Sequence, residues 1–175
     1  MKLCKLKSSK PVKVLFYTTE SFTGVFYARV LENVLTNLLG MTPWIHVSVE
    51  VNNFTFHVLG KRMMWTRRDK ADRLFGKPAA VVEVGETYYP MDYIMGYTQA
   101  FSLKYLSLRI WIWLFVYLFV WLLTGGFVKF GLYKGDCTYM CGKMCSDLVE
   151  NMPSSLNTFI PSDLYEDLIK NGGKE

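Results

Sequence analysis

The fold is decided by a short stretch in the first half of the chain, residues 46–59, which reads HVSVEVNNFTFHVL. Apolar and polar residues alternate from Trp44 to Val51, and this period of two predicts a β-strand with one apolar face. Asn52-Asn53 then predicts a tight hairpin turn. Phe54 to Leu59 follows as the returning strand, so the stretch as a whole predicts a β-hairpin.

This hairpin contains both histidines of the chain. A tight turn at Asn52-Asn53 brings His46 and His57 face to face, or nearly so, on adjacent strands. A thiol needs a neighbouring base to become a competent nucleophile, and an imidazole needs a second polar group to hold its useful tautomer. The histidine pair therefore predicts half of a catalytic site, for which Cys145, far downstream, is the candidate thiol.

The segments on either side of the hairpin complete a mixed α and β domain. Val12–Tyr17 is a β-branched and aromatic run that predicts a first strand. In Phe22–Leu39 the apolar residues recur at intervals of three and four, which predicts an amphipathic helix. Ala79–Val84 predicts a further strand, and Asp92–Leu108 predicts a helix with aromatic residues four apart on one face.

A basic stretch lies between these elements, from Lys61 to Lys77, with Trp65 inside it. Its ordinary interpretation is a solvated loop or short helix. The alternative is a surface that contacts phosphate or lipid headgroups.

Length and composition indicate one compact domain. The chain has 175 residues, of which 51% are hydrophobic, and this excludes general disorder. A formal net charge of +5 suits nucleic acid, phosphate or an anionic membrane surface, and charge alone does not choose among them. The aromatic excess favours the membrane, so we expect a membrane partner and no nucleic acid partner.

The N-terminal segment and the cysteines bear on localisation. Residues 1–12 are basic but lack the continuous apolar core of a secretory signal, so a cleaved signal peptide is not expected. The four cysteines, three of them crowded between Cys137 and Cys145, do not resemble a disulfide framework. We therefore expect reduced thiols and a membrane-associated protein on the cytoplasmic side.

The segment from Ile110 to Val128 carries no charged residue. Its length falls between that of a transmembrane helix and that of a buried or interfacial helix. A single span would place His46 and Cys145 on opposite sides of the bilayer, so a shared site and a single span exclude each other. We expect a monotopic, re-entrant or self-paired element, broken at Gly125-Gly126, that leaves both termini on one side of the membrane. A single span and a fully buried core helix are the alternatives.

The cysteine cluster follows this apolar segment. Gly142 predicts that a helix begins after it, which places Cys145 in the first turn. There the helix dipole and free backbone N–H groups lower a thiol's pKa and can hold an oxyanion. A zinc site is the rival use of Cys137, Cys141 and Cys145, but cysteines four apart with no local histidine fit structural zinc spacing poorly. No phosphate-binding or dinucleotide-binding glycine motif occurs, and no cofactor is expected.

Four short motifs carry a resemblance to a known family. They are His46-Val47-Ser48-Val49-Glu50-Val51, Phe56-His57-Val58-Leu59, Cys145-Ser146-Asp147-Leu148-Val149 and Ile160-Pro161-Ser162-Asp163-Leu164-Tyr165. In this order they resemble the circularly permuted papain-like hydrolases of the NlpC type, including the YiiX-like and lecithin:retinol acyltransferase-like branches. The resemblance covers roughly residues 13–169. It departs from the family at Ser48, where glycine is usual, and in the aromatic insertion before the cysteines.

The resemblance implies both a fold and an activity. The fold would be α+β, a permuted papain-like domain over residues 13–175 with a small antiparallel sheet packed on helices and an apolar, membrane-associating helical insertion at 110–128. Cys145 would be the nucleophile, His46 the general base and acid, and His57 the group that orients His46. The reaction would be hydrolysis or acyl transfer at an amide, ester or thioester of an acyl, lipid or peptide substrate. The apolar, aromatic segment favours a substrate that is lipidated or membrane-proximal. The alternatives are a non-catalytic membrane accessory protein and a cysteine peptidase acting on peptide or cell-wall stems.

Overall fold

The computed structural model describes residues 8–18, 44, 46–59, 62–105, 115–116, 119, 122–123, 137–154, 156 and 161–175. The strands are β1 (Lys10–Tyr17), β2 (His46–Val51), β3 (Phe54–Leu59), β4 (Arg62–Arg67) and β5 (Ala80–Thr87). The main helices are α1 (Arg68–Phe75), α2 (Met91–Tyr105), α3 (Cys137–Leu148) and α4 (Pro161–Lys170). The predicted α+β class is confirmed.

The five strands form one antiparallel sheet in the order β4-β3-β2-β1-β5. At one end of the β1–β2 pair Tyr17 lies opposite His46, and at the other end Val12 lies opposite Val51. The pairing of β1 with β5 shifts register between Val12 and Lys13, which marks a β-bulge. The bulge lies at the Val12 end of the sheet, and His46 lies at the Tyr17 end, where the candidate site is described below.

The predicted hairpin is confirmed. Asn52 and Asn53 both have positive φ, 51° and 64°, as a two-residue hairpin turn with the right twist requires. The following strand, β3, has the predicted bounds, whereas β2 begins at His46 rather than at Trp44. Asparagine adopts this left-handed backbone more readily than most residues, which explains why this dipeptide closes the turn.

The strand β2 is buried along its whole length on both faces. Val47, Val49 and Val51 belong to the hydrophobic core cluster, which also contains buried residues of α3 and α4. The alternate residues His46, Ser48 and Glu50 are buried as well. A buried polar face is costly unless its groups are paired, so this face is where a functional site is to be sought.

Three other predicted elements are present in the structure. The strand at Val12–Tyr17, the strand at Ala79–Val84 and the helix beginning near Asp92 are confirmed as β1, β5 and α2, while residues 106–108 of that helix lie outside the described residues. The predicted helix at Phe22–Leu39 also lies outside them.

The basic stretch is not simply a loop or short helix, because its first part is the strand β4 and its second part is α1. This strand lies at the edge of the sheet, where basic ends and an exposed side chain such as Trp65, 49% exposed, are common. The described side chains of β4 are exposed or only partly buried, so its sequence lacks the apolar alternation that predicts a strand.

Most of the predicted apolar insertion lies outside the described residues. Within it Phe115, Val116, Phe119, Leu122 and Leu123 are helical, and their side chains are 50–75% exposed. Among the helices that the structure describes, none combines the length and the apolar character needed to cross a bilayer.

Candidate functional site

The two histidines meet on the polar face of the hairpin. Nε2 of His46 lies 3.2 Å from Nδ1 of His57, at hydrogen-bonding distance. The two rings are coplanar to within 2° and their centroids are 5.5 Å apart, so they join edge to edge through the two nitrogens. The expectation that the hairpin brings these residues together is confirmed.

Burial keeps both imidazoles neutral. Burial, and to a lesser extent the neighbouring His57, lowers the pKa of His46 to about 3. Burial, and then the positive charge of Arg68, lowers the pKa of His57 to about 4. At neutral pH each ring therefore carries one proton, and one ring donates to the other.

Tyr17 and Ser48 extend the polar face beside the pair. The Tyr17 ring centroid lies 5.6 Å from that of His46 and 6.0 Å from that of His57. Ser48 Oγ donates a long hydrogen bond, 3.4 Å, to the Tyr17 hydroxyl. Burial raises the pKa of Tyr17 to about 12, although the Ser48 hydrogen bond works against this, so the phenol stays protonated.

An ion-pair network borders the pair on the side of α1. Arg68 donates from Nη1 to Glu50 of β2 and from Nε to Asp72 of its own helix, the latter at 2.8 Å. Two carboxylates thus compensate one guanidinium. The positive charge of Arg68 itself still contributes, after burial, to lowering the pKa of His57.

Phe75, the last residue of α1, covers His57. Their ring centroids are 4.5 Å apart and the rings are tilted by 44°. Nε2 of His57, the nitrogen not bonded to His46, has no hydrogen-bond partner among the described residues. The His46–His57 pair is therefore enclosed by an aromatic ring on one side and by Tyr17 on another.

Cys145 does not have the surroundings that the sequence predicts. The helix α3 begins at Cys137, not after Gly142, so Cys145 lies in its last turns rather than its first. Cys145 is fully buried in the core cluster, and burial raises the pKa of its thiol to about 12. The predicted lowering of this pKa by the helix dipole is therefore wrong. No hydrogen bond joins Cys145 to either imidazole within the described part of the chain.

The direction of α3 relates its three cysteines to the histidines. At its C-terminal end, the Glu150 N–H donates to Glu86 O of β5 at 3.4 Å, beside Gly85, which pairs with Val12. This is the end of the sheet away from Tyr17 and His46. Nearer the start of the helix, Cys141 adds a weak electrostatic contribution that raises the pKa of Tyr17, after the larger effect of burial.

The first turn of α3 is thus directed toward the histidine end of the sheet. Its first residue, Cys137, is half-buried, and it precedes Cys141 by one helical turn, about 6 Å of rise. Cys137 therefore has the helix position that the sequence assigns to Cys145. The sequence signal that could have indicated this start is Asp136, because aspartate is favoured immediately before a helix.

Metal binding has no support in the part of the chain that the structure describes, where no three or more His, Cys, Asp or Glu side chains are grouped to hold an ion. The described cysteines, Cys137, Cys141 and Cys145, are not joined in disulfides. No protein-family model matches the chain, and no curated protein matches it.

Proposed function

We propose that the protein is a thiol-dependent hydrolase or acyltransferase, built on a permuted papain-like scaffold, that acts on an amide, ester or thioester bond. The observation that carries this proposal is the 3.2 Å bond between His46 Nε2 and His57 Nδ1. A base whose ring is held by a second polar group through one nitrogen is the arrangement that thiol acyl chemistry requires.

The low pKa of His46 fits a base that is protonated only together with a thiolate. A buried imidazolium alone is unfavourable, but an imidazolium beside a thiolate is compensated by the opposite charge. Proton transfer from the thiol to His46 therefore produces an ion pair rather than an isolated buried charge. His57 keeps the His46 ring in the plane that this transfer needs.

The nucleophile belongs to α3. The family resemblance assigns it to Cys145, whereas the helix geometry favours Cys137. Cys137 lies in the first turn, where the positive end of the helix dipole stabilises a thiolate, and it is half-buried rather than enclosed. Cys145 has a pKa of about 12 and no path to substrate until the core opens.

The reaction follows from these roles. The thiolate forms a bond to the carbonyl carbon of the substrate, and the imidazolium of His46 gives its proton to the departing amine, alcohol or thiol as the acyl–heteroatom bond breaks. A thioacyl enzyme results. Water or another acceptor then loses a proton to His46 as it attacks the carbonyl carbon, the acyl–sulfur bond breaks, and His46 returns the proton to the sulfur, which regenerates the thiol.

The substrate we propose is lipidated or membrane-proximal. The support is the set of exposed apolar side chains at Phe115, Val116, Phe119, Leu122 and Leu123. An apolar helix face of this kind suits an acyl chain or a bilayer surface. The same observation favours a second candidate function, a membrane-associated accessory protein that has no catalytic step.

Labelling by an electrophilic thiol probe separates these proposals. Cys137→Ala, Cys141→Ala and Cys145→Ala are compared with the wild type, and the labelled residue is identified by mass spectrometry. We expect labelling to be lost in Cys137→Ala and in His46→Asn, and retained in Cys141→Ala. Loss only in Cys145→Ala would restore the assignment by resemblance, and equal labelling of the wild type and all variants would leave only the accessory protein.

A further inference from the structure

The orphaned nitrogen of His57 calls for an explanation. His57 is fully buried, its Nδ1 is bonded to His46, and its Nε2 has no hydrogen-bond partner in the described part of the chain. Buried polar atoms in folded proteins are nearly always paired, because leaving one unpaired is costly. Whether Nε2 carries a proton or a lone pair decides what contact can replace the missing bond.

Two arrangements of protons satisfy the bond between the histidines. In the first, His46 donates from Nε2, and His57 carries its own proton on Nε2. In the second, His57 donates from Nδ1, and its Nε2 presents a bare lone pair. The neutral state of both rings allows no third arrangement with this bond.

These arrangements differ at the nitrogen that does chemistry. In the first, Nδ1 of His46 is unprotonated and able to accept a proton. In the second, Nε2 of His46 accepts the hydrogen bond and Nδ1 carries the proton, so His46 has no basic nitrogen to offer. The tautomer of His57 thus determines whether His46 can act as a base.

Phe75 is the aromatic ring nearest to His57 among the described residues. Its ring centroid lies 4.5 Å from that of His57. The face of an aromatic ring is negative, so it attracts an N–H group and repels a lone pair. Arg68 is the positive charge that contributes to the lowered pKa of His57. It donates hydrogen bonds to Glu50 and Asp72, and it makes no hydrogen bond to His57 within the described residues.

We infer that the Nε2–H of His57 points at the face of the Phe75 ring, so that Phe75 is a positioning residue that holds His57 in the tautomer with its proton on Nε2 and leaves Nδ1 of His46 as the basic nitrogen. The catalytic meaning of this inference rests on the proposed function. The tautomer itself does not, because it is a property of the folded protein without substrate.

Nitrogen-15 NMR of the full chain measures the tautomers directly, through long-range correlations of the ring protons with both nitrogens of each imidazole. In the wild type we expect a protonated Nε2 and an unprotonated Nδ1 in both histidines. The opposite assignment in either ring overturns the inference.

Replacing the aromatic ring tests the role of Phe75 itself. In Phe75→Leu we expect the tautomer ratio of His57 to change by about two- to fivefold, the size expected of one weak N–H···π contact. Leu74→Ala, a change at the half-exposed neighbouring position, is the matched control and leaves the ratio as in the wild type. An unchanged tautomer ratio in Phe75→Leu would show that Phe75 does not hold the tautomer of His57. If the leucine variant does not fold, Phe75→Met provides the same test.

Thiol labelling measured on the same samples keeps the two proposals apart. If the expected tautomer is found but no thiol probe labels the protein, the inference about Phe75 holds and the proposed function is wrong. Labelling together with the opposite tautomer defeats only the inference about Phe75.

Discussion

Arg68 donates a hydrogen bond from Nη1 to Glu50 Oε2, and this ion pair ties the first residue of α1 to the polar face of β2. Both side chains are largely buried, and Asp72 supplies a second carboxylate to the same guanidinium. The network fixes the helix that carries Phe75 against the strand that carries His46. The stability of α1 and the geometry of the site are therefore coupled.

Arg68→Met and Glu50→Gln should differ in their effect on stability. Removing the arginine leaves the buried Glu50 carboxylate uncompensated, and we expect a loss of about 3 kcal/mol in the free energy of unfolding. Glu50→Gln leaves Arg68 paired with Asp72 and should cost about 1 kcal/mol. Urea denaturation measures both, and equal losses would show that the network is not organised around the guanidinium.

Acidification should destabilise the protein through the histidine pair. The folded-state pKa values of about 3 and 4 lie below the ordinary value of 6.5, so the unfolded chain binds protons that the folded protein does not. The stabilisation is complete above pH 6.5 and is lost as the pH falls toward 4. We expect about 2–3 kcal/mol for each histidine between pH 7 and 4.5. Denaturation curves of wild type and His57→Gln over this range test it, since the variant should have the shallower dependence.

The thiols of α3 should differ in reactivity and in their tolerance of substitution. Cys145 is fully buried, so Cys145→Ser places an unpaired hydroxyl in the core and should cost about 1–3 kcal/mol. Cys137→Ser, at a half-buried first-turn position, should cost less than about 1 kcal/mol. In the native protein a small disulfide reagent should modify Cys137 before Cys145. Faster modification of Cys145 would contradict this order and the burial on which it depends.

Two glycines offer a matched test of the packing of α3 on the sheet. Gly85 has a φ of +137°, and a Cβ added there would lie 2.8 Å from Val149 Cγ1. Gly85→Ala should therefore destabilise the protein by about 2 kcal/mol or more. Gly96, in α2, has open space around it, and Gly96→Ala should stabilise the helix by about 0.5–1 kcal/mol. Thermal unfolding of the two variants checks the opposite signs.

The hairpin could be predicted because its information is local. Alternation, the Asn52-Asn53 turn and the spacing of the two histidines determine which side chains share a face, and the structure agrees at each of these points. The neutral state of the pair depends on burial by distant segments, to which the local pattern gives no access. Tyr17 lies at the site because β1 pairs with β2, and Phe75 lies there because α1 packs beside His57. The sequence around His46 contains no local pattern that predicts either contact.

The helix of the cysteines shows the limit of local signals. Glycine weakens a helix interior by about 1 kcal/mol, which predicts a boundary at Gly142 when no other information is present. In the folded protein Gly142 is buried inside α3, and core packing of Met140, Cys141 and Met144 outweighs that preference. The start of α3, and with it the helix position of each cysteine, is thus decided by tertiary packing and not by propensity.

The exposed apolar residues predict binding to lipid vesicles. Phe115, Phe119 and Leu122 are helical residues at spacings of four and three, the spacings typical of one helix face, and each is more than half exposed. The double variant Phe119→Glu and Leu122→Glu adds charge to this face, and we expect vesicle binding to fall by about tenfold or more because charged side chains partition poorly into the acyl region. Cosedimentation with vesicles of mixed neutral and anionic lipid measures the binding. Lys70→Gln with Arg73→Gln, on the exposed side of α1, lowers the net charge by the same two units and is the charge-matched control: a larger loss there would make the basic surface, not the apolar helix, the membrane contact.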